Sequence, residues 1–279
     1  MTKTNHTFTK AATHLALMAF MLFLLFPLLW VFSTSFKPTP EIYAGTPELL
    51  PNALSFEHYE TIMRGSNLWS SMRNSILVGA LATLLAVIIA MPGAYALARF
   101  QSKLNKAVLG WILASQIFPA ILLMIPLYVL MRSLRLTDSL LGLSLVYVVW
   151  SLPFVLWMLH GYLKSIPVDL EEAAALDGAT KSQTIFRVIL PTLLPALGAA
   201  MLFTFISAWN EFFFALVLMK SPDAVTLPVE LARYTGMEGQ ARTGPLAAAS
   251  VIATLPSLLL FGAMQKWFAS GLLSGAVKN

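Results

Sequence analysis

The chain has 279 residues, 58% of them apolar and only 11% charged, with a net charge of +5 and a mean hydropathy of +0.75. A soluble domain carries about 25% charged residues, so a chain this poor in charge cannot cover a water-facing surface and reads as membrane-embedded. The positive charge is spread through the connections rather than clustered, which excludes nucleic acid as a partner, and the lack of cysteine excludes disulfides, thiolate metal sites and cysteine nucleophiles.

Six windows lack Asp, Glu, Lys and Arg: 11–36, 74–98, 107–131, 139–163, 188–210 and 243–265, each of at least 23 residues. A bilayer core of about 30 Å takes about 20 residues of helix. The windows therefore predict an all-α, polytopic membrane protein with six transmembrane helices. Residues 1–279 are expected to form a single membrane domain. It has a first span over 11–36, an outer loop over 37–73 and a core of five spans over 74–265. A cytoplasmic loop at 164–190 interrupts the core, and a tail follows over 266–279. The first window resembles a signal peptide after Lys3 and Lys10. It is too long for one, and no small-residue cleavage site closes it before Ser33-Thr34-Ser35, so it is expected to stay as a helix.

With both termini in the cytoplasm, the inner segments carry +6 and the outer ones −1. The loop 99–106, with Arg99, Lys103 and Lys106, is the strongest witness for this orientation. Two outer loops, 37–73 and 220–242, are large enough to meet a partner outside the membrane, and equally readable as solvated linkers. Proline recurs in or beside the spans (Pro27, Pro92, Pro119, Pro126, Pro153, Pro195, Pro256), as packing kinks or as points where a transport bundle bends.

The loop SIPVDLEEAAALDGATKSQTIFRVILPTLLP, residues 165–195, carries the densest local signals. Pro167 suits a first helical turn. Asp169, Glu171 and Glu172 suit the positive end of a helix, and Leu170, Ala173, Ala174 and Leu176 continue it. Gly178 stands where a left-handed glycine ends a helix. Thr180 and Gln183 have capping-box spacing for a second one. Two short helices meeting at a sharp turn form a rigid knuckle, readable as a docking surface or as a generic amphipathic loop.

The same residues carry a family resemblance. Glu172-Ala173-Ala174, Gly178, Val188 and Leu190-Pro191 resemble the EAA signature of ABC importer permeases, with Val188 where isoleucine is usual. Further segments resemble the carbohydrate branch, in particular the second permease subunit of maltose- and trehalose-type systems. These are Phe26-Pro27 with Ser33-Thr34-Ser35-Phe36-Lys37, Pro92-Gly93-Ala94-Tyr95-Ala96-Leu97-Ala98-Arg99, Ala208-Trp209-Asn210-Glu211-Phe212 and the tail Ser270–Lys278.

The resemblance implies an ABC importer type I transmembrane domain in a bacterial or archaeal cytoplasmic membrane. It implies a second permease subunit, two ATP-binding subunits and an extracytoplasmic sugar-binding protein as partners. It makes Glu171, Glu172, Ala173, Ala174, Leu176, Asp177, Gly178, Phe186 and Pro191 the coupling site for the ATPase, with Gly271–Lys278 reaching toward it. No cofactor is expected in this chain, with ATP and Mg on the partner subunits. Trp209, Asn210 and Glu211 are read either as lining a sugar path or as a structural hydrogen-bonded group. A lone secondary transporter would show inverted halves or paired intramembrane charges. An enzyme would show a catalytic cluster, and the four histidines (His6, His14, His58, His160) have no metal-ligand spacing. No Gly-rich phosphate loop is present either.

Overall fold

The computed structural model describes the backbone of residues 3–65, 67–100, 102–236 and 242–276, with side chains at Lys10 and within 12–265. The described residues are helical, without strands. In chain order the helices are α1 (Lys3–Ser35), α2 (Thr39–Ile42), α3 (Glu57–Gly65), α4 (Leu68–Arg99), α5 (Leu104–Ser115), α6 (Ala120–Ser133) and α7 (Leu140–Ser165). They continue with α8 (Asp169–Leu176), α9 (Lys181–Thr184), a π-turn (Ile185–Ile189), α10 (Leu190–Asn210), α11 (Phe213–Leu218), α12 (Leu227–Ala232) and α13 (Thr243–Ala276).

Among the described residues, five stretches are long and apolar enough to cross a bilayer: Ala12–Ser35, Leu68–Arg99, Leu140–Ser165, Lys181–Asn210 and Thr243–Gln265. The third charge-free window departs from the expectation of one straight span. It forms α5 and α6, bent by 94° at a short break. Pro119 is the physical cause: it has no N–H to donate, holds extended backbone at ψ 122° and starts α6. The other prolines of the windows (Pro27, Pro92, Pro126, Pro153, Pro195, Pro256) sit inside continuous helices.

The chain divides into two compact units, residues 1–68 with 231–255 and residues 69–230 with 256–279. In the first, the segment after α1 is a folded cap rather than a linker. Ser33, Thr34, Ser35 and Lys37 are buried although polar, and each has a partner. Ser33 donates to the Leu49 carbonyl and Lys37 to the Glu48 carbonyl. Thr34 donates to Trp30 O at 2.8 Å, and Ser35 bonds the Tyr59 hydroxyl at 2.8 Å. Phe36 sits among Phe32, Phe56 and Tyr59 at centroid distances of 5.1, 5.5 and 5.2 Å. His58 Nε2 donates to Lys37 O at 2.9 Å, and its ring fills the space a side chain at Gly244 would need. Thr39 donates both its N–H and its hydroxyl to Glu57 Oε1, which holds that exposed carboxyl below its ordinary value.

The second unit is built on α4, α7 and α10. Lipid tails are as apolar as leucine, so burial alone does not drive these helices together; close van der Waals packing and interhelical hydrogen bonds do. Val78, Ala82, Ala86, Ala90 and Ala94 recur every four residues along α4 and are all buried. This small-residue stripe brings α4 close to α7 and α10, with Phe205 seated on Gly79 and Leu156 on Gly93. Leu143, Tyr147, Val155, Leu159 and Leu163 make α7 part of both apolar cores of this unit.

The loop after α11 is stitched down by polar groups. Asn74 Nδ2 donates to Asp223 O at 2.7 Å and Val225 O at 3.0 Å. Ser75 Oγ accepts from Leu227 N at 2.8 Å. Asp138, in the turn between α6 and α7, accepts from the Lys220 and Ser221 N–H groups and from the Ser221 hydroxyl.

Partial burial raises the Asp138 pKa, but the three hydrogen bonds outweigh it and hold the carboxyl below its ordinary value. The folded state therefore prefers the ionised form, so the contribution is full at neutral pH and is lost as pH falls through the depressed folded value. Melting curves in detergent from neutral pH to about pH 3 should show a stability loss at the acid end that is smaller in Asp138→Asn. An identical pH profile in the variant would remove Asp138 from this role.

Candidate functional site

The knuckle between α7 and α10 is shaped by local chemistry. Asp169, Glu171 and Glu172 lie in the first turn of α8, where negative charge is favoured. At the other end Gly178 N donates to Ala175 O at 3.0 Å and Ala179 N to Ala174 O at 2.9 Å. With Gly178 at φ +81°, this is a Schellman stop, and that backbone conformation is strained for any residue with a Cβ. The reciprocal capping box follows: Thr180 N donates to Gln183 Oε1 at 2.8 Å and Gln183 N to Thr180 Oγ1 at 3.3 Å.

The π-turn over Ile185–Ile189 precedes Leu190-Pro191. Pro191 cannot donate to the carbonyl four residues back, and its ring would crowd that carbonyl. The wider turn, in which Leu190 N reaches Ile185 O, accommodates it and passes the chain into α10.

The coupling-motif residues do not all face outward. Leu176 is 90% exposed at the tip, and Glu172, Ala173, Asp177, Gly178, Phe186 and Pro191 are exposed around it. Ala174 is 8% exposed and packs inward, so the alanine face expected to meet another protein is split. Glu171 also faces inward. Its Oε1 pairs with Arg99 Nε and its Oε2 accepts from the Tyr95 hydroxyl at 2.6 Å. Arg99 Nη2 donates onward to Ile166 O at 3.1 Å. The two charged side chains are 10% and 16% exposed. One guanidinium and one phenol at the end of α4 thus hold both ends of the segment entering α8. Sequence reading placed Tyr95 and Arg99 in a motif and Glu171 in another. Their pairing, across more than seventy residues, is a structural result.

The second group lies where α10 stops. Asn210 is exposed and ends α10, and Glu211 takes an extended backbone with ψ 127°. The Glu211 carboxylate accepts from the Tyr147 hydroxyl at 2.7 Å, from Phe214 N at 2.9 Å and from Ala215 N at 3.2 Å. It satisfies the free N–H groups of α11 and ties them to α7. Trp209 is 4% exposed and stacks on Phe205 at 5.9 Å. Of these three residues only Asn210 is exposed in the chain, with Glu211 half-buried and Trp209 buried. The tail from Gly271 continues α13 as far as Ala276, and Val277, Lys278 and Asn279 lie outside the described residues.

The Glu171 link is testable by a double-mutant cycle. Arg99→Gln and Glu171→Gln should each lower the melting temperature in detergent, with a coupling energy of about 1.5–3 kcal/mol, as for a hydrogen bond between charged groups. Additive effects would mean that the pair does not bind the two elements.

Comparison with known proteins places this arrangement. Residues 82–274 match the family described as binding-protein-dependent transport system inner membrane component. The chain is 38% identical over 256 residues to the trehalose transport system permease protein SugB of Mycobacterium tuberculosis, covering 91% of this chain and 93% of that one. It is 36% identical to the diacetylchitobiose uptake system permease protein DasC of Streptomyces coelicolor over 92% of both. Among solved structures, a bacterial ABC transporter involved in import of the acidic polysaccharide alginate has a chain matching with a TM-score of 0.80 and 26% identity, covering 96% of this chain and 99% of that one. The chain therefore belongs to the family of binding-protein-dependent transport system inner membrane components, the permease subunits of ABC transporters.

Proposed function

We propose that the chain forms half of the membrane pathway of an ATP-driven importer for a sugar, and that α8 is the element on which the ATPase acts. The sugar is a di- or oligosaccharide of the trehalose or maltose kind. Support for that class comes from relatives named for trehalose and diacetylchitobiose uptake. A second permease subunit completes the pathway. Two ATP-binding subunits supply ATP and Mg, and an extracytoplasmic binding protein delivers the sugar. The termini and the α8 knuckle face the cytoplasm, which agrees with the lysines and arginines of residues 99–106.

The observation that carries this reading is the knuckle itself. It presents an exposed tip at Glu172, Ala173, Leu176 and Asp177, while its inner face is fixed to α4 through Glu171. An exposed leucine between two acidic residues suits a cleft on a partner with an apolar floor and a basic rim. Displacement of α8 by closure of the ATPase pair then moves α4 directly, because Arg99 and Tyr95 are its last turns. The state of the nucleotide biases a two-state bundle.

At the far end of the pathway, Asn210 is the residue of its group placed to meet a sugar hydroxyl. Glu211 and Trp209 hold the break in α10 that presents it. The folded outer cap supports the reading that the loop after α1 meets the binding protein.

Gly178→Val should leave the chain in the membrane and abolish ATP-driven sugar uptake in reconstituted vesicles, since a β-branched residue strains the turn that shapes the tip. Uptake that persists without ATP or any ATPase subunit would overturn the ABC importer reading.

A further inference from the structure

A cavity of about 590 Å³ opens where α4, α5 and α7 meet, at the end of the spans nearest the knuckle. Leu97 and Ala98 come from the last turns of α4, Lys106 from the first turn of α5 and Lys164 from the last turn of α7. Three lysines, Lys103, Lys106 and Lys164, line it, and among the described residues no Asp or Glu does. Among the described residues none of the three has an ion-pair partner, and the adjacent Arg99 is committed to Glu171 and Ile166 O.

His160 lies at the cavity with only 7% of its surface exposed, and its Nε2 is buried without a hydrogen-bond partner. A buried polar group left unpaired is costly, and three like charges around one cavity repel. One ligand would relieve both: an anion with several acceptor oxygens. The walls add a second requirement, since Leu97, Phe100 and Leu109 give the cavity an apolar side. A free ion would make no use of it.

We propose that Lys103, Lys106 and Lys164, together with the buried His160, bind the phosphate headgroup of an anionic membrane lipid whose acyl chains lie along Phe100 and Leu109. Basic pockets between spans at headgroup depth have this character generally. The site is independent of which sugar is carried and of how the ATPase docks. It also places a lipid beside the Arg99 that holds α8, so membrane composition would act next to the coupling element.

The test is native mass spectrometry of the full chain in detergent, loaded with dioleoyl phosphatidylglycerol or dioleoyl phosphatidylcholine. The wild type should retain the anionic lipid with a preference of at least about tenfold, and each lysine-to-glutamine change should reduce it about fivefold, given about 1 kcal/mol per lysine at a lipid surface. The single variants Lys103→Gln and Lys106→Gln alter exposed residues, so they report even where Lys103→Gln/Lys106→Gln/Lys164→Gln combined fails to fold. His160→Leu should lower retention while the lysines remain. Inorganic phosphate at millimolar concentration should not displace the lipid. Equal retention of the two lipids, or unchanged preference in the lysine variants, would overturn the site. Displacement by inorganic phosphate would overturn the lipid as its ligand.

Discussion

A single carboxylate joins the two parts of this chain that a permease must keep in step. Glu171 belongs to the short helix α8, and its partners Tyr95 and Arg99 belong to the last turns of α4. Both charges are largely withdrawn from water, so the pair is less screened than a surface ion pair and more demanding of geometry. Arg99 also holds the Ile166 carbonyl, just before α8 begins. The knuckle is therefore not a loop draped over the bundle but a lever whose inner arm is bonded to α4. Its shape is set separately, by the Gly178 stop and the Thr180–Gln183 box.

The opposite end of the same unit uses the same device. Glu211 interrupts α10 and then satisfies the groups that the interruption frees, while Tyr147 ties the break to α7. In each case a phenol on a long span meets a carboxylate at the edge of a short helix, Glu171 in the first turn of α8 and Glu211 just before α11. Between them, α4 and α7 pack through an alanine stripe that lets backbones approach closely. In the proposed mechanism, a push at the knuckle would reach the break after α10 through this packing.

Much of this was legible in the residues, and what was not has a physical reason. Six charge-free windows reported the spans because the bilayer demands length and apolarity from each one separately. Gly178, Thr180 and Gln183 reported the knuckle because helix stops and caps act over a few residues. Pro119 is one of seven span prolines read as kinks or bending points, but nothing in the sequence singles it out for a 94° break, since the six others leave their helices continuous. The partners of Glu171, Glu211, Asn74 and Asp138 were hidden because long-range pairing leaves no periodic trace. The family-like motifs acquire mechanical meaning only in three dimensions. Ser33 to Lys37 fasten the cap after α1, Tyr95 and Arg99 grip α8, and Glu211 caps α11. Ala174 shows the limit of motif reading, since it belongs to the signature yet packs inside the chain.

If Glu171 transmits ATPase motion into the membrane rather than merely keeping α8 folded, altering it should separate hydrolysis from transport. The most direct measurement is ATP hydrolysis and sugar uptake recorded in parallel on the complete reconstituted transporter carrying Glu171→Gln. For that role, hydrolysis should continue while uptake falls at least about tenfold, equivalent to about 1.4 kcal/mol or more on the transport barrier. Uptake and hydrolysis that stay in wild-type proportion would contradict it.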